Sequence, residues 1–266
     1  MNGFKIKKKL SKIFEIFGIT KFYEYKLRCK YGSNYIRVVN YHDTCRENSL
    51  NFERQIEWYK KRYTNVSYDE FKRFLLGEIN LFGKPGIMLT FDDGLKGNYD
   101  YAYPILKKHG FTGYFMCSSD LVETEGYMTF EQLSELVKQG HIIGDHTATH
   151  HRMLETDTAE TLEKEIITSR EDLSKGCGCE IDIFCWCGGE EEHYTKKAQQ
   201  EIIKAGYSYT FLTNSEPVTK DTNPLAIQRI NIEDSWPISL VRFQLCGFMD
   251  AHFKKKRLRV YRKLFG

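Results

Sequence analysis

Seven short runs rich in β-branched and aromatic residues recur along this chain, at residues 35–41, 87–91, 111–116, 141–144, 181–186, 207–212 and 227–232. Segments with helical spacing separate them. Helices are expected over 51–63, from the Ser67/Glu70 capping box to about Leu76, and over 98–108, where Pro104 bends the helix. Others follow from the Thr129/Gln132 cap to Gly140, over 157–174, over 195–205 before Gly206, and over 237–249. Strands that alternate with helices cannot pair as tight hairpins. They must run parallel with helical crossovers, which leaves an α/β barrel or an open sheet. The 266 residues suit one barrel, which takes about 250. We find no internal repeat and no low-complexity tract.

Charge divides the chain into a body and two basic ends. Residues 1–30 hold nine Lys/Arg against two Glu, and 242–266 hold eight against one Asp, although the net charge is only +3. We therefore expect a basic N-terminal extension over 1–34, a body over 35–250 and a basic C-terminal tail over 251–266. In the extension Phe4, Ile6, Leu10, Ile13, Phe14 and Phe17 recur at steps of three and four, with Lys5, Lys7, Lys8, Lys9 and Lys12 between them. That pattern suits a helix lying on an anionic membrane surface, or a solvated extension with one face packed on the body. No nucleic-acid-binding motif accompanies the charge, so nucleic acid is not an expected partner. No run is apolar for long enough to span a bilayer, and the N-terminus lacks the apolar stretch of a secretory signal. The expectation is a cytoplasmic protein, peripheral to the inner membrane face if the extension docks there, with its eight cysteines mostly reduced.

Two motifs carry chemistry. Thr90-Phe91-Asp92-Asp93-Gly94 follows a strand directly, at the end where α/β enzymes place reacting groups. Two adjacent carboxylates there are costly unless a cation or a shared proton relieves them. His146-Thr147-Ala148-Thr149-His150 also follows a strand, and its imidazoles converge on one ion if the intervening residues form a helical turn. Taken singly, each motif has a plain reading, as turn chemistry or a satisfied loop. Together on one rim they form two His plus a carboxylate, a set that leaves coordination positions open.

At these residues the chain resembles the NodB-homology polysaccharide deacetylases, carbohydrate esterase family four. The likeness extends to residues 101–110, the strand at 111–116 and Gly144-Asp145 ahead of the imidazoles, and covers roughly residues 36–235. It implies a distorted (β/α)7–8 barrel. It implies that Asp93, His146 and His150 bind a divalent metal, usually Zn2+, with Asp92 as general base. The substrate implied is an N-acetylated sugar or polysaccharide. The chemistry agrees, because a bound metal lowers the pKa of its water to about 7 and Asp92 can take the proton as that water attacks the acetyl carbonyl. A backbone N–H near Gly188 would assist at the oxyanion.

Two family features are missing. The late Leu-x-His that supplies the general acid is absent, which leaves His42, in Asn40-Tyr41-His42-Asp43, and the more distant His252. The third motif reads Ile181-Asp182-Ile183-Phe184-Cys185-Trp186-Cys187-Gly188-Gly189, with Cys187 in the usual proline place and no arginine to tether the base. Arg229, on the last strand, is the candidate replacement. Trp186 and, less so, Trp236 are candidates to stack on sugar rings, against a plain reading as core. Cys177, Cys179, Cys185 and Cys187 are either a zinc cluster or small buried thiols. Rival functions are an inactive sugar-binding scaffold on the same barrel and an O-acetyl esterase.

Overall fold

A computed structural model describes residues 2–266, and side chains from Ile6 onward except Lys7. The expected roles of Phe4, Lys5 and Lys7 lie outside the described residues. The strands are β1 (Ile36–Tyr41), β2 (Thr64–Asn65), β3 (Gly86–Phe91), β4 (Gly113–Cys117), β5 (Ile142–Asp145), β6 (Ile183–Cys185), β7 (Tyr209–Leu212), β8 (Ile227–Gln228) and β9 (Ile230–Asn231). The α-helices are α1 (Asn2–Ile16), α2 (Ile19–Tyr31), α3 (Ser49–Arg62), α4 (Tyr68–Leu75), α5 (Tyr103–His109), α6 (Phe130–Lys138), α7 (Ala159–Leu162), α8 (Ser169–Cys177), α9 (Lys196–Lys204), α10 (Ile238–Leu245) and α11 (Phe248–Phe265). Both expected capping boxes form, at Ser67/Glu70 and at Thr129/Gln132. The helix expected over 98–108 forms as one unbroken helical run over 96–109, and the regular helical pattern gives way to a π-helical stretch immediately before Pro104. The wider turn at Asn98–Ala102 accommodates the proline, which has no N–H to give to the preceding turn. The helix expected over 157–174 is likewise interrupted by a π-helical stretch, Glu163–Thr168.

All strand pairings are parallel, in the order β8-β7-β6-β5-β4-β3-β1-β9, with β2 added beside β3. The two ends of this order are consecutive in sequence. The run expected as one strand over 227–232 pairs with β7 through its first half and with β1 through its second, and only Arg229 lies between. The sheet therefore curls into a nearly closed barrel whose seam is a single residue.

Period-two alternation sorts the barrel side chains. Ile87, Leu89 and Phe91 face outward with Val39, Phe115 and Phe184, beneath the helices. Ile36, Val38, Met88, Tyr114, Met116, Ile183, Phe211 and Ile227 face inward, and Phe71 and Phe74 of α4 join this inner cluster with Val66. Continuing the same parity upward brings in Asn40, Thr90, Asp92, Cys185 and Arg229. The interior is apolar at its base and polar at the carboxyl ends of its strands.

The expected boundary at 250/251 falls inside α11. Arg37 of β1 makes a bidentate pair with Asp250 at 2.8 Å per bond, and Arg257 donates to the carbonyls of Asn214 and Ser215. Val260 and Leu264 are buried, so this basic segment is packed on the barrel.

Candidate active site

Asp92 leaves β3 pointing into the barrel mouth, and Arg229 reaches it across the seam. Nη1 donates to Asp92 Oδ1 at 2.6 Å and Nη2 to Oδ2 at 2.8 Å, while Nη1 also reaches Thr90 Oγ1 at 3.0 Å and Asn40 Oδ1 at 3.3 Å. Arg229 and Asp92 are both buried. Burial alone would raise the Asp92 pKa, but the Arg229 guanidinium and then His146 outweigh it, and the carboxyl titrates below its usual range. Arg229, the candidate replacement for the arginine missing from the third motif, thus reaches the Asp92 carboxylate from the seam.

Asp93 turns the other way, because its backbone is left-handed at φ 71°. Its Oδ1 stands 3.4 Å from His146 Nε2 and 3.2 Å from His150 Nε2. That oxygen is buried and has no hydrogen-bond partner. Burial would raise its pKa, but the two imidazoles more than offset this and hold it well below the usual carboxylate range. His146 Nδ1 lies 2.9 Å from the Cys185 carbonyl, a contact that fixes the ring with Nε2 toward Asp93.

The imidazoles do not converge through a helical turn, as expected from their spacing. Thr147 and His150 adopt φ of 64° and 60°, and the turn between them is irregular. His151 N donates to Thr147 Oγ1, and Thr149 binds Glu165 through both N and Oγ1, which pins the loop. Among the described residues five non-glycines have positive φ, and Asp93, Thr147 and His150 are three of them. A β-branched threonine in this region is strained by about 1–3 kcal/mol, and such strain gathers where function requires an orientation. Beneath the loop, buried Asp145 accepts from Ser169 and Tyr207, and burial pushes its pKa up to about 7.

The two Asp93–imidazole separations suit ligands of one divalent ion, and His146, His150 and Cys187 also lie close enough together to share an ion, as do Asp92, His146 and Cys185. Ligands bonded at about 2 Å around a tetrahedral ion stand about 3.3 Å apart, close to the two Asp93–imidazole separations, and an unpartnered buried carboxylate oxygen needs a cation. Sulfur is also near. Cys187 Sγ donates to the His146 carbonyl at 3.2 Å, and Cys185 Sγ lies 3.7 Å from Asp92 Oδ1. The four-cysteine zinc cluster does not form. Among the described residues no three of those thiols share one ion's reach, because Cys177 and Cys179 end α8 while Cys185 and Cys187 enter the barrel mouth.

The cleft over these groups encloses about 460 Å³ and is also lined by His42, Gly188, Lys256 and Gln244. His42 is exposed at the end of β1, with its carbonyl fixed by Asn98 Nδ2 at 2.8 Å. His252 is exposed on α11 against Phe253 and does not line the cleft. Gly188 is left-handed at φ 77° on the rim. Trp186 brings only an edge. It has the outward parity of β6, is 1% exposed, and packs against Phe184 and Tyr194, so neither ring face is open to a sugar. Trp236 is buried as well. Sequence reasoning missed Asn40 and Thr90, which alternation from Val38 and Met88 marks as polar interior positions. It also missed the wall made by Gln244, Met249, Phe253 and Lys256, for which the sequence carries no signal. A larger cavity of about 840 Å³, between α2, α11 and residues 216–226, contains none of Asp92, Asp93, His146 and His150.

The sequence profile described as Polysaccharide deacetylase matches residues 81–210. The match spans both motif loops and leaves out His42 and Arg229. The poly-beta-1,6-N-acetyl-D-glucosamine N-deacetylase of Staphylococcus aureus (strain MRSA252) is 25% identical over 253 residues, covering 78% of this chain and 82% of the relative. The crystal structure of a polysaccharide deacetylase from Bacillus cereus is 26% identical with a TM-score of 0.66, over 81% of this chain and 69% of that one. A Streptococcus pyogenes deacetylase in complex with acetate matches with a TM-score of 0.69 and 23% identity, over 79% and 98% of the two chains, a likeness of fold.

Proposed function

The chain belongs to the polysaccharide deacetylase family, and from that premise we propose that it hydrolyses the acetamide of an N-acetylated sugar within a polysaccharide. The observation that carries this reading is the buried Asp93 oxygen, unpartnered between two imidazoles and adjacent to an Asp92 locked by Arg229. Asp93, His146 and His150 would hold a divalent ion, with zinc the first expectation for two imidazoles and a carboxylate. When bound, that ion supplies Lewis acidity to the attacking water and the acetyl carbonyl.

The remaining work falls to this chain's own residues. Asp92, kept ionised at neutral pH by Arg229, accepts the proton of the attacking water. The bidentate pair fixes the plane of that carboxylate, so its geometry is set before substrate enters. The Gly188 backbone offers an N–H toward the developing oxyanion. His42 protonates the leaving amine as the carbon–nitrogen bond breaks, which releases acetate and the free amino sugar. The named activity of the Staphylococcus aureus relative makes poly-N-acetylglucosamine the first substrate to test. The inactive-scaffold reading is disfavoured, because a binding module has no use for three residues held in left-handed backbone, one of them a strained threonine, at an acid–imidazole cluster.

The test is acetate release from N-acetylglucosamine oligomers and from O-acetylated sugars, with chelator and with zinc restored. We expect release from the amide substrates, loss with chelator and recovery with zinc. Undiminished release from the Asp92→Asn protein would overturn the base assignment, and release from O-acetyl substrates alone would replace the amidase by an esterase.

A further inference from the structure

We propose that the turn joining α1 and α2 docks on an anionic lipid bilayer. Ile16 is 78% exposed, Phe17 74% and Phe22 56%, and these three surround Gly18 at the turn. Leu10, Ile13 and Tyr25 extend the same exposed apolar surface. Among the described residues fourteen large hydrophobic side chains are exposed, and seven of them fall between residues 6 and 25. Single exposed apolar residues are ordinary, but this density in one short segment is not.

The charges around the turn are sorted. Glu15 and Glu24, the acids of the segment, both face Arg242 of α10, Glu24 through two bonds at 2.7 and 2.6 Å and Glu15 at 3.6 Å. Lys9, Lys12 and Lys21 are exposed and take part in no ion pair among the described residues. The acids are therefore neutralised toward the barrel, and the cations face solvent beside the apolar tip. Lys26 lies 5.6 Å over the exposed Phe22 ring, a stem along apolar surface with its charge held above. Lysines ringing an apolar tip complement anionic headgroups over acyl chains.

The segment is also held firmly enough to transmit the docking. Phe14 packs edge-on against Phe243 and Phe248, each at 4.9 Å. Their neighbours Gln244 and Met249 line the catalytic cleft. The docking turn thus belongs to a helix pair one layer behind the cleft wall. Among the described residues no helix is long and apolar enough to cross a membrane, so the contact is interfacial.

The experiment is flotation of the full chain with vesicles of phosphatidylcholine alone and with about one-third phosphatidylglycerol. We expect binding to the anionic vesicles, weakened by salt, and little to the neutral ones. Ile16→Ser with Phe17→Ser should abolish flotation. Lys9→Gln, Lys12→Gln and Lys21→Gln together should weaken it by roughly fivefold per lysine. Both variants should melt as the parent does and retain acetate release from a soluble oligomer. Equal flotation with both vesicle types, or none with either, overturns the proposal. So does a parent that sediments as a dimer and is split by Phe17→Ser, which would make a second copy the occupant of the surface.

Discussion

The barrel mouth is built from two unlike halves. One is the motif rim, where Asp92, Asp93, His146 and His150 lie just past β3 and β5, each within a few residues of its partner in sequence. The other is the seam, where Arg229 binds Asp92 from 137 residues away and α10–α11 close the wall. The rim obtains its geometry from strained backbone pinned by local bonds. The seam obtains its geometry from barrel closure, because Arg229 is placed only when β8 meets β7 and β9 meets β1. The groups that meet at the proposed reacting centre sit on local structure, whereas support for them can come from any element that arrives at the same depth in the barrel.

Substitutions in the two halves should separate accordingly. Asp92→Asn removes the proposed proton acceptor and should lower kcat by about 10²–10⁴, measured as acetate release, with the far-ultraviolet dichroism unchanged. Arg229→Gln leaves the buried Asp92 carboxylate without its guanidinium and should cost about 3–5 kcal/mol of stability in denaturant unfolding. It should also move the acid limb of the pH–activity profile upward, because burial then acts on Asp92 with less opposing charge. If Arg229→Gln left both the limb and the stability unchanged, the seam would be no tether and the two halves would not differ as argued.

The rim was legible in sequence because its residues are contiguous and each group follows a strand. The register of those strands was legible too, and parity from Met88 through Thr90 to Asp92 foretells which side chains enter the barrel. Applied to β6, the same parity sends Cys185 inward and Trp186 outward, which is why the second of the two readings of Trp186, as core, fits its burial. The turn of His146–His150 was not legible, since i, i+4 spacing fits a helical turn as well as a left-handed one, and nothing in Thr147 announces φ 64°. Nor was the wall of Gln244, Met249, Phe253 and Lys256, whose place depends on how α10 and α11 close over the seam. That the last apolar run would split into β8 and β9 at Arg229 follows from closure, a property of the whole sheet that no window of sequence contains.

A pH effect at the far end of the barrel must be separated from the acid limb. His141 lies just before β5, buried against Tyr103 and Phe115, and accepts a hydrogen bond from Gly113 N at 2.9 Å. Burial lowers its pKa to about 4, with Lys107 adding to the shift. The unfolded chain, with an ordinary value of about 6.5, binds this proton first as pH falls, so the stability His141 protects is complete above about pH 6.5 and is lost on the way to about 4, roughly 3 kcal/mol in all. His141→Gln should flatten that part of the unfolding profile while leaving the acid limb of activity in place. A limb that moved with His141→Gln would mean that activity at low pH reports unfolding rather than Asp92.

The smallest expected effect decides between the two readings of Trp186. Its ring is enclosed by Phe184 and Tyr194 on the outward side of β6, so its contribution is to packing beneath the helices. Trp186→Phe removes volume from a closed site and should cost about 1–2 kcal/mol in unfolding, with KM for oligomeric substrate unchanged within about twofold. A ring that stacked on the sugar would show the reverse, a raised KM with little loss of stability, because its face would be exchanged with solvent in the free protein. The ratio of the two effects is therefore more informative than either alone. It asks whether the third motif, altered at Cys187, belongs to the rim that touches substrate or to the shell that supports it.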